Sequence, residues 1–351
     1  MLEIEKTHIR LDPWSASSLL QKAIRRGEVE LAHQALTELH RFRGKAVWRR
    51  LANIAVEDVG IADVELVWEV IRLATDPKLR DVLGPDAELL DTVVAKLAMA
   101  PKDRSSDYVY CAATKLPAAI EEREQLRPAS RDVQLSIAAT LLEPLMKRLS
   151  AALLACTVAS RGEVMIASAV EELLAVLPHN CPTSLAQTVL TLAELRSHPY
   201  SLVLILIWSQ FQWMGGEEGI AAEPVPRAEY VAGIPLYTFD KHTAVGKRAI
   251  SMLPKRCSEL GELLAKWVPT ERHADVALMA AFYADAAPVS KRLEWFAGKH
   301  LEFIGMHADM MSVGCPYEGV VPITECVRRN LETVNELRRG ALLSTEKPAR
   351  T

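Results

Sequence analysis

The chain has 351 residues, of which 50% are hydrophobic, 25% are charged and 6% are aromatic, a balance typical of a globular protein of two or three domains. The formal net charge of −4 excludes a uniformly basic nucleic-acid coat, although a local basic patch remains compatible with phosphate binding. The longest apolar run, Leu202 to Trp208, is too short to span a membrane, no secretory signal is recognised, and the six cysteines are scattered. We therefore expect a cytoplasmic protein with reduced thiols, no metal site and no membrane partner.

Apolar residues recur with the period of a helix along almost the whole chain, and the two-residue alternation of strands is nearly absent. The pattern predicts helices over about 15–26, 28–41 and 45–58, one that Asp63 caps, and two more over 87–100 and 106–116. Beyond these it predicts helices over 132–159, 163–176, 183–214, 243–253, 257–267, 271–285, 288–312 and 322–339. We expect an all-α fold of stacked helix pairs without a sheet.

Two segments interrupt the helical pattern and predict domain boundaries. Glu121 to Arg131 is charged and contains Pro128, and residues 216–233 concentrate Gly, Pro and Glu in what we expect to be a linker or loop. We therefore expect an N-terminal extension over 1–14, a helical domain over 15–122, a helical region over 130–215, a C-terminal helical region over 234–340 and a frayed tail over 341–351.

The sequence motifs of common enzyme classes are missing. The pair Gly246-Lys247 lacks the glycine five positions earlier and the Ser or Thr that follow in a P-loop, and GxGxxG, GxSxG and HExxH do not occur. We therefore expect no ATPase activity and no cofactor, and a non-enzymatic role is the more natural expectation.

Charge is distributed unevenly over the first hundred residues. Residues 15–50 carry eight Lys/Arg against three Glu, whereas residues 51–100 carry four against ten Asp/Glu. This asymmetry favours head-to-tail subunit contacts or a basic face for DNA phosphates, and a solvated helical surface is the plain alternative. The candidate DNA- or partner-binding residues are Lys22, Arg25, Arg26, Arg41, Arg43 and Lys45.

A second candidate site lies near the predicted start of a helix. Thr243 is a potential helix cap, which would leave free N–H groups beside His242, Lys247 and Arg248 and so favour an anion or phosphate site. His242 with Asp240 is alternatively an acid–base pair, because a nearby carboxylate tunes an imidazole. A polar helix start with a satisfied histidine remains the structural alternative.

Three stretches in the first 120 residues resemble one known family. They are LQKAIRRGEVELAHQALTEL (Leu20 to Leu39), WRRLANIAVEDVGIAD (Trp48 to Asp63) and LAMAPKDRSSDYVY (Leu97 to Tyr110). In order and spacing they resemble the C-terminal region of the RarA/MgsA and Werner-helicase-interacting group, which are clamp-loader-like AAA+ replication-associated recombination ATPases. The resemblance covers about a third of the chain.

The resemblance implies a collar-like helical domain that holds subunits together as a tetramer. It also implies that the residues of the second stretch make the fold, with the arginine pair beside the acidic pair, and do no chemistry. These signature residues are Arg49, Arg50, Glu57, Asp58, Gly60 and Asp63. ATP hydrolysis does not carry over, because the chain contains no P-loop.

The expected function follows from a collar-like domain in a chain that has no P-loop ATPase motif. We expect a non-enzymatic oligomerisation and interaction module in DNA replication, recombination or repair, a homo-oligomer with a separate clamp-loader-like ATPase as a possible partner. Two alternatives stay open. One is a phosphate- or nucleotide-binding protein or small enzyme centred on Asp240, His242, Thr243 and Lys247, and the other is direct DNA binding through the basic face of residues 22–50.

Overall fold

The computed structural model describes residues 11–158, 164–177, 181–195, 198–216 and 219–345. The first thirteen helices are α1 (Pro13–Arg26), α2 (Val29–Arg43), α3 (Val47–Ile54), α4 (Val64–Thr75), α5 (Pro77–Leu83), α6 (Asp86–Met99), α7 (Ser105–Lys115), α8 (Pro117–Leu126), α9 (Arg131–Ala139), α10 (Leu145–Val158), α11 (Val164–Val176), α12 (Thr183–Glu194) and α13 (His198–Trp213). The later ones are α14 (Ala244–Ile250), α15 (Leu253–Arg256), α16 (Ser258–Trp267), α17 (His273–Ala281), α18 (Gly298–Ser312), α19 (Tyr317–Arg329) and α20 (Leu331–Thr345). The predicted all-α class is confirmed.

Two small sheets accompany the helices, and the expectation of no sheet was wrong. Strand β1 (Ile220–Ala222) pairs antiparallel with β4 (Lys291–Leu293), and β2 (Tyr230–Val231) pairs antiparallel with β3 (Ile234–Pro235). Strands of two or three residues are too short for alternation to show in a sequence. The β1–β4 pair places part of the predicted 216–233 linker in regular structure.

Local sequence signals account for several helix ends. Asp12 caps α1 and accepts hydrogen bonds from the backbone N–H groups of Trp14 and Ser15, so this helix begins two residues before the predicted start at residue 15. Gly27 ends α1 in the left-handed conformation with φ +74°. Asp63 caps α4 as predicted, accepting from the N–H of Leu66 at 3.0 Å.

Three long predicted helices are each divided into two shorter helices in the structure. The predicted helix over 132–159 divides into α9 and α10, with Pro144 just before α10, and that over 183–214 divides into α12 and α13, with Pro199 in the first turn of α13. Proline favours the first turn of a helix and disfavours its interior. The predicted helix over 322–339 likewise divides into α19 and α20 at Asn330. Residues 288–297, also predicted helical, contain β4.

Two π-helical turns extend α-helices and place an aspartate in the interior. Ala55–Val59 follows α3 and holds Asp58, whereas Phe282–Ala286 follows α17 and holds Asp285. Asp58 has no exposed surface and Asp285 is 5% exposed. Such turns are uncommon and frequent at functional sites, because the extra residue re-aims the side chains around it.

Helix α1 lies at the centre of the molecule. It packs against α2, α6 and a 3₁₀ turn at Leu236–Thr238, and eleven of its fourteen residues are buried. The main hydrophobic core runs from Leu11 to Val334, so residues of all three predicted helical regions contribute to it. α1 therefore contacts both the N-terminal helices and the segment after the second predicted boundary.

The two ends of the chain fall partly outside the described residues. Residues 1–10 of the predicted extension and 346–351 of the predicted tail lie there, whereas Leu11 is buried and α20 continues to Thr345. None of the described helices is long and apolar enough to cross a membrane.

Candidate functional site

A charged pocket of about 340 Å³ opens beside α1, and we call it the central pocket. Its ionisable lining residues come from both halves of the chain: Lys22, Arg25, Arg50, Glu57, Arg104, Asp107, Lys115, Asp240, Lys241, His242 and Asp309. Six are Lys or Arg and four are Asp or Glu, and the buried Asp58 behind the wall is ion-paired with two of the arginines, which leaves a surplus of one positive charge with histidine counted as uncharged. Such a lining is complementary to a small anion.

The wall nearest the π-helical turn is held by a buried carboxylate. Asp58 lies 2.6 Å from the Nε of Arg25 and 3.1 Å from the Nε of Arg104, and Gln21 donates a hydrogen bond to it at 2.8 Å. Burial opposes ionisation of Asp58, but the two guanidinium groups outweigh it and lower the pKa of this carboxyl. Asp58 thus fixes two cationic side chains of the pocket.

A second carboxylate holds the histidine of the pocket. Asp240 is fully buried and its Oδ2 lies 2.9 Å from Lys22 Nζ and 3.0 Å from His242 Nδ1. Burial alone would raise the pKa of Asp240, but Lys22 and His242 hold it well below its usual range. Burial lowers the pKa of Lys22 to about 8, partly offset by Asp240. The imidazole of His242 is 58% exposed, so this arrangement fixes one ring nitrogen and leaves Nε2 for a ligand.

The opposite wall is built around Asp309 of α18. Its Oδ1 lies 2.5 Å from Lys115 Nζ, its Oδ2 accepts a hydrogen bond from Tyr283 at 2.8 Å, and Lys241 Nζ is 3.9 Å away. Burial opposes ionisation, but Lys241 and Lys115 outweigh it and lower the pKa of Asp309. Burial lowers the pKa of Lys241, whose single carboxylate contact here is a long one.

Arg50 and Glu57 line the pocket without forming an ion pair within the described part of the chain. Arg50 donates a hydrogen bond to the side-chain oxygen of Gln21, and its buried Nε has no hydrogen-bond partner there. Burial lowers the pKa of Arg50. Burial, together with Asp107 and Asp58, raises the pKa of Glu57. Arg50 is therefore the guanidinium group best placed to gain from a bound anion.

One aromatic ring packs among the cationic side chains. The Lys241 ammonium lies 4.2 Å from the centre of the Phe282 ring, with the guanidinium carbon of Arg25 at 5.8 Å, and the ring of His242 meets it edge-on at 5.6 Å. Cations near the face of an aromatic ring are stabilised by its quadrupole. The Phe282 ring thus stabilises neighbouring cationic side chains that would otherwise need further carboxylates as partners.

The six predicted DNA- or partner-binding residues do not form one exposed face. Three of them are buried on α1, each ion-paired with a buried aspartate: Lys22, Arg25 and Arg26. The other three remain exposed: Arg41, Arg43 and Lys45. The polar side of α1 meets carboxylates that lie far away in the sequence, so its cations turned out to be interior.

The signature residues serve two different purposes. Arg49 is exposed and does not pack beside the acidic pair as expected, while Asp58 takes Arg25 and Arg104 as partners instead. Gly60 has φ +53°, and a Cβ there would lie 2.5 Å from the carbonyl oxygen of Asp103. Gly60 and Asp63 thus shape the backbone, whereas Arg50 and Glu57 lie in the central pocket.

The predicted anion site near residue 240 is only partly assembled. Asp240 and His242 line the central pocket, but Lys247 and Arg248 are exposed outside it, and Arg248 donates a hydrogen bond to the carbonyl oxygen of Ala341 at 2.8 Å. Thr243 caps α14 by accepting from the N–H of Gly246 at 3.1 Å. A Cβ on Gly246 would lie 2.1 Å from the carbonyl oxygen of Asp240, so the Asp240 backbone packs against the start of this seven-residue helix and closes it to an anion.

Several residues of the pocket were not predicted from the sequence. They are Trp14, Arg104, Asp107, Lys115, Lys241, Phe282 and Asp309. A usable signal was a charged residue inside an apolar helical run, such as Asp309 between Ala308 and Met310. A charge at that position needs a buried partner. The partner itself is not visible in the sequence.

Scans against models of known protein families, curated proteins and solved structures find no match to this chain. The geometry of the central pocket therefore carries the functional argument. Among the described residues, no group of three or more His, Cys, Asp and Glu side chains is arranged to hold a metal ion.

Proposed function

We propose that the chain binds a small anion, of the size of a phosphate, in the central pocket. The observation that carries this proposal is Arg50, a half-buried arginine that takes part in no ion pair among the described residues and lines a pocket with a surplus of positive charge. Charge-assisted hydrogen bonds from a guanidinium to a phosphate are strong and directional. Lys241 and the free Nε2 of His242 supply further donors, the latter when the imidazole is protonated or in the suitable tautomer.

This proposal makes part of the alternative function more specific. The predicted segment from Asp240 to Lys247 contributes two residues to the site, and the resemblance stretch from Trp48 to Asp63 contributes Arg50 and Glu57. His242, positioned by Asp240, has the arrangement of a general acid or base toward a bound ligand.

Inorganic phosphate tests the proposal through the melting temperature. At phosphate concentrations near 100 times the dissociation constant, the stabilisation of about 2.7 kcal/mol corresponds to a rise of about 3–4 °C. We expect Arg50→Ala to abolish this rise and Arg50→Lys to restore part of it, while chloride at matched ionic strength gives none. The matched control is Arg256→Ala, which removes an exposed arginine outside the central pocket and should leave the rise unchanged. A rise that survives in Arg50→Ala would contradict the proposal.

The oligomerisation module that the resemblance implies is a second candidate. What favours it is a groove of about 990 Å³ among α4, α5 and α6, whose apolar lining reaches the exposed Leu83 and whose charged lining residues include Glu65 and Lys96. Other large apolar residues that line it include Leu66, Trp68, Leu79 and Leu89. Large exposed apolar patches mark interaction surfaces. A collar-like homo-oligomer would cover this groove and leave the central pocket unaffected.

Light scattering measures the solution mass that this second candidate requires. We expect a fixed multiple of the 38.8 kDa chain, and dissociation in Leu83→Lys, whose residue is 55% exposed in the groove. The control Leu142→Lys places the same charge at a leucine that is 84% exposed outside the groove and should keep the oligomer. A monomer at every concentration would exclude the collar.

A further inference from the structure

A second cavity continues from the mouth of the central pocket, and we call it the basic groove. It has a volume of about 370 Å³ and shares Trp14, Ser17 and Arg50 with the central pocket. Arg43 and Arg49 add two further cations, and no acidic side chain of the described chain lines it. The central pocket mixes both signs of charge, whereas the basic groove is purely cationic.

The cations of the basic groove are free to meet a ligand. Arg43 and Arg49 are exposed, and neither takes part in an ion pair among the described residues. Three arginines without a carboxylate exceed what one phosphate needs. They suit a ligand with several phosphates in succession.

Exposed aromatic side chains accompany these cations. Trp14 is 66% exposed, an unusual position for the largest apolar side chain, and the guanidinium carbon of Arg43 lies 5.6 Å from its ring centre. Phe42, which precedes Arg43 in the sequence but does not line the groove, is 43% exposed, and the guanidinium carbon of Arg41 lies 4.9 Å from its ring centre. Alternating aromatic and cationic groups are the physical requirement for single-stranded nucleic acid, whose bases stack while its phosphates pair with cations.

We propose that the basic groove binds the end of a single-stranded nucleic acid, with a base stacked on Trp14, backbone phosphates at Arg43 and Arg49, and the terminal phosphate in the central pocket beside Arg50. This inference rests on the proposed function, because the terminal phosphate is the anion of the central pocket. A terminal phosphate carries up to two negative charges and a phosphodiester carries one, so the terminal group is the one that Arg50, Lys241 and the other cations of the central pocket favour more.

The test is the binding of short labelled oligothymidylates measured by fluorescence anisotropy. Strands carry a 5′-phosphate, a 3′-phosphate or no terminal phosphate, with the label at the other end. We expect one phosphorylated form to bind about tenfold or more tightly than the unphosphorylated strand, and more tightly than thymidine monophosphate. Trp14→Ala should weaken its binding by about 5- to 100-fold through lost stacking.

Charge contacts are tested by the salt dependence. The double variant Arg43→Ala/Arg49→Ala should reduce the slope of log affinity against log salt by about 1.4, since each contact to a single strand contributes about 0.7. Its control, Lys255→Ala/Arg256→Ala, removes the same charge from exposed residues of α15 outside both cavities and should leave the slope unchanged.

Different failures have different meanings. If no strand binds although inorganic phosphate still raises the melting temperature through Arg50, the nucleic-acid inference is overturned and the anion site stands. If strands bind equally with and without a terminal phosphate, or thymidine monophosphate binds as tightly, the placement of a strand end is overturned. Binding that is unaffected by both Trp14→Ala and the double variant would overturn the assignment of the groove.

Discussion

Arg25 and Arg26 are consecutive on α1, yet they reach two different buried carboxylates. Arg25 pairs with Asp58 and Arg26 with Asp285, and each aspartate lies in a π-helical turn. Asp58 also takes Arg104, and Asp285 also takes Arg338. Removing one member of such a buried set leaves the others desolvated without a partner, so these residues specify how the halves of the molecule fit around α1.

Asp240 should make stability depend on acidity. Its pKa in the folded state lies well below the value of about 4 for an unfolded aspartate, so below about pH 4 the unfolded state takes up the proton first. The stabilisation from the carboxylate is complete above that pH and is lost as the pH falls. We expect Asp240→Asn to show a smaller loss of the free energy of unfolding between about pH 7 and pH 3 than the wild type, measured by urea denaturation.

Asp58 and Asp309 have lowered pKa values as well, so the Asp240→Asn variant should retain part of the acid sensitivity. Equal losses in the variant and the wild type would show that Asp240 is not held ionised by Lys22 and His242.

Among the elements, helix ends were predictable because their causes are local. The left-handed residue at Gly27 and the cap at Asp63 each depend on a few neighbouring residues. The environment of α1 could not be predicted, because its cationic side chains pair with Asp240 and Asp285, which lie more than 200 residues away in the sequence. An amphipathic pattern cannot distinguish a cationic side that faces water from one that faces buried carboxylates.

Gly60 ends the π-helical turn that carries Glu57 and Asp58, so its backbone conformation determines how this element ends. Its backbone, at φ +53° and ψ −131°, is accessible to glycine, and a Cβ would collide with the Asp103 carbonyl oxygen. We expect Gly60→Ala to lower the free energy of unfolding by about 2–4 kcal/mol in urea denaturation. The control is Gly340→Ala within α20, where a Cβ meets nothing within 4 Å, and a gain of about 0.5–1 kcal/mol is expected. Similar effects at both glycines would contradict the steric argument.

At the scale of the whole molecule, the sequence indicated several residues of the central pocket but not that they lie close together. Arg50 and Glu57 came from the resemblance stretch, and Asp240 and His242 from a separate local pattern. The structure places all four in one pocket, together with Asp309, for which no motif exists. Periodicity predicts helices and caps predict their ends, but contacts between segments some 190 residues apart follow from packing of the complete chain.

The packing that forms the central pocket also bears on the function of the chain. A module that only joined subunits would have no need for a pocket in which an arginine lacks an ion-pair partner. The guanidinium of Arg50 would gain charge-assisted hydrogen bonds from a bound anion. An anion bound in the central pocket would lie beside Arg50 with His242 facing it.

The most direct test is an NMR titration of the histidine side chains with inorganic phosphate. We predict a saturable shift of the His242 Nε2 resonance, assigned with His242→Gln, that disappears in Arg50→Ala. His33 of α2, whose Nε2 lies 2.9 Å from the carbonyl oxygen of Asp91 in α6 and which lines neither cavity, should not shift. An unmoved His242, or an equal shift of both histidines, would contradict the anion site.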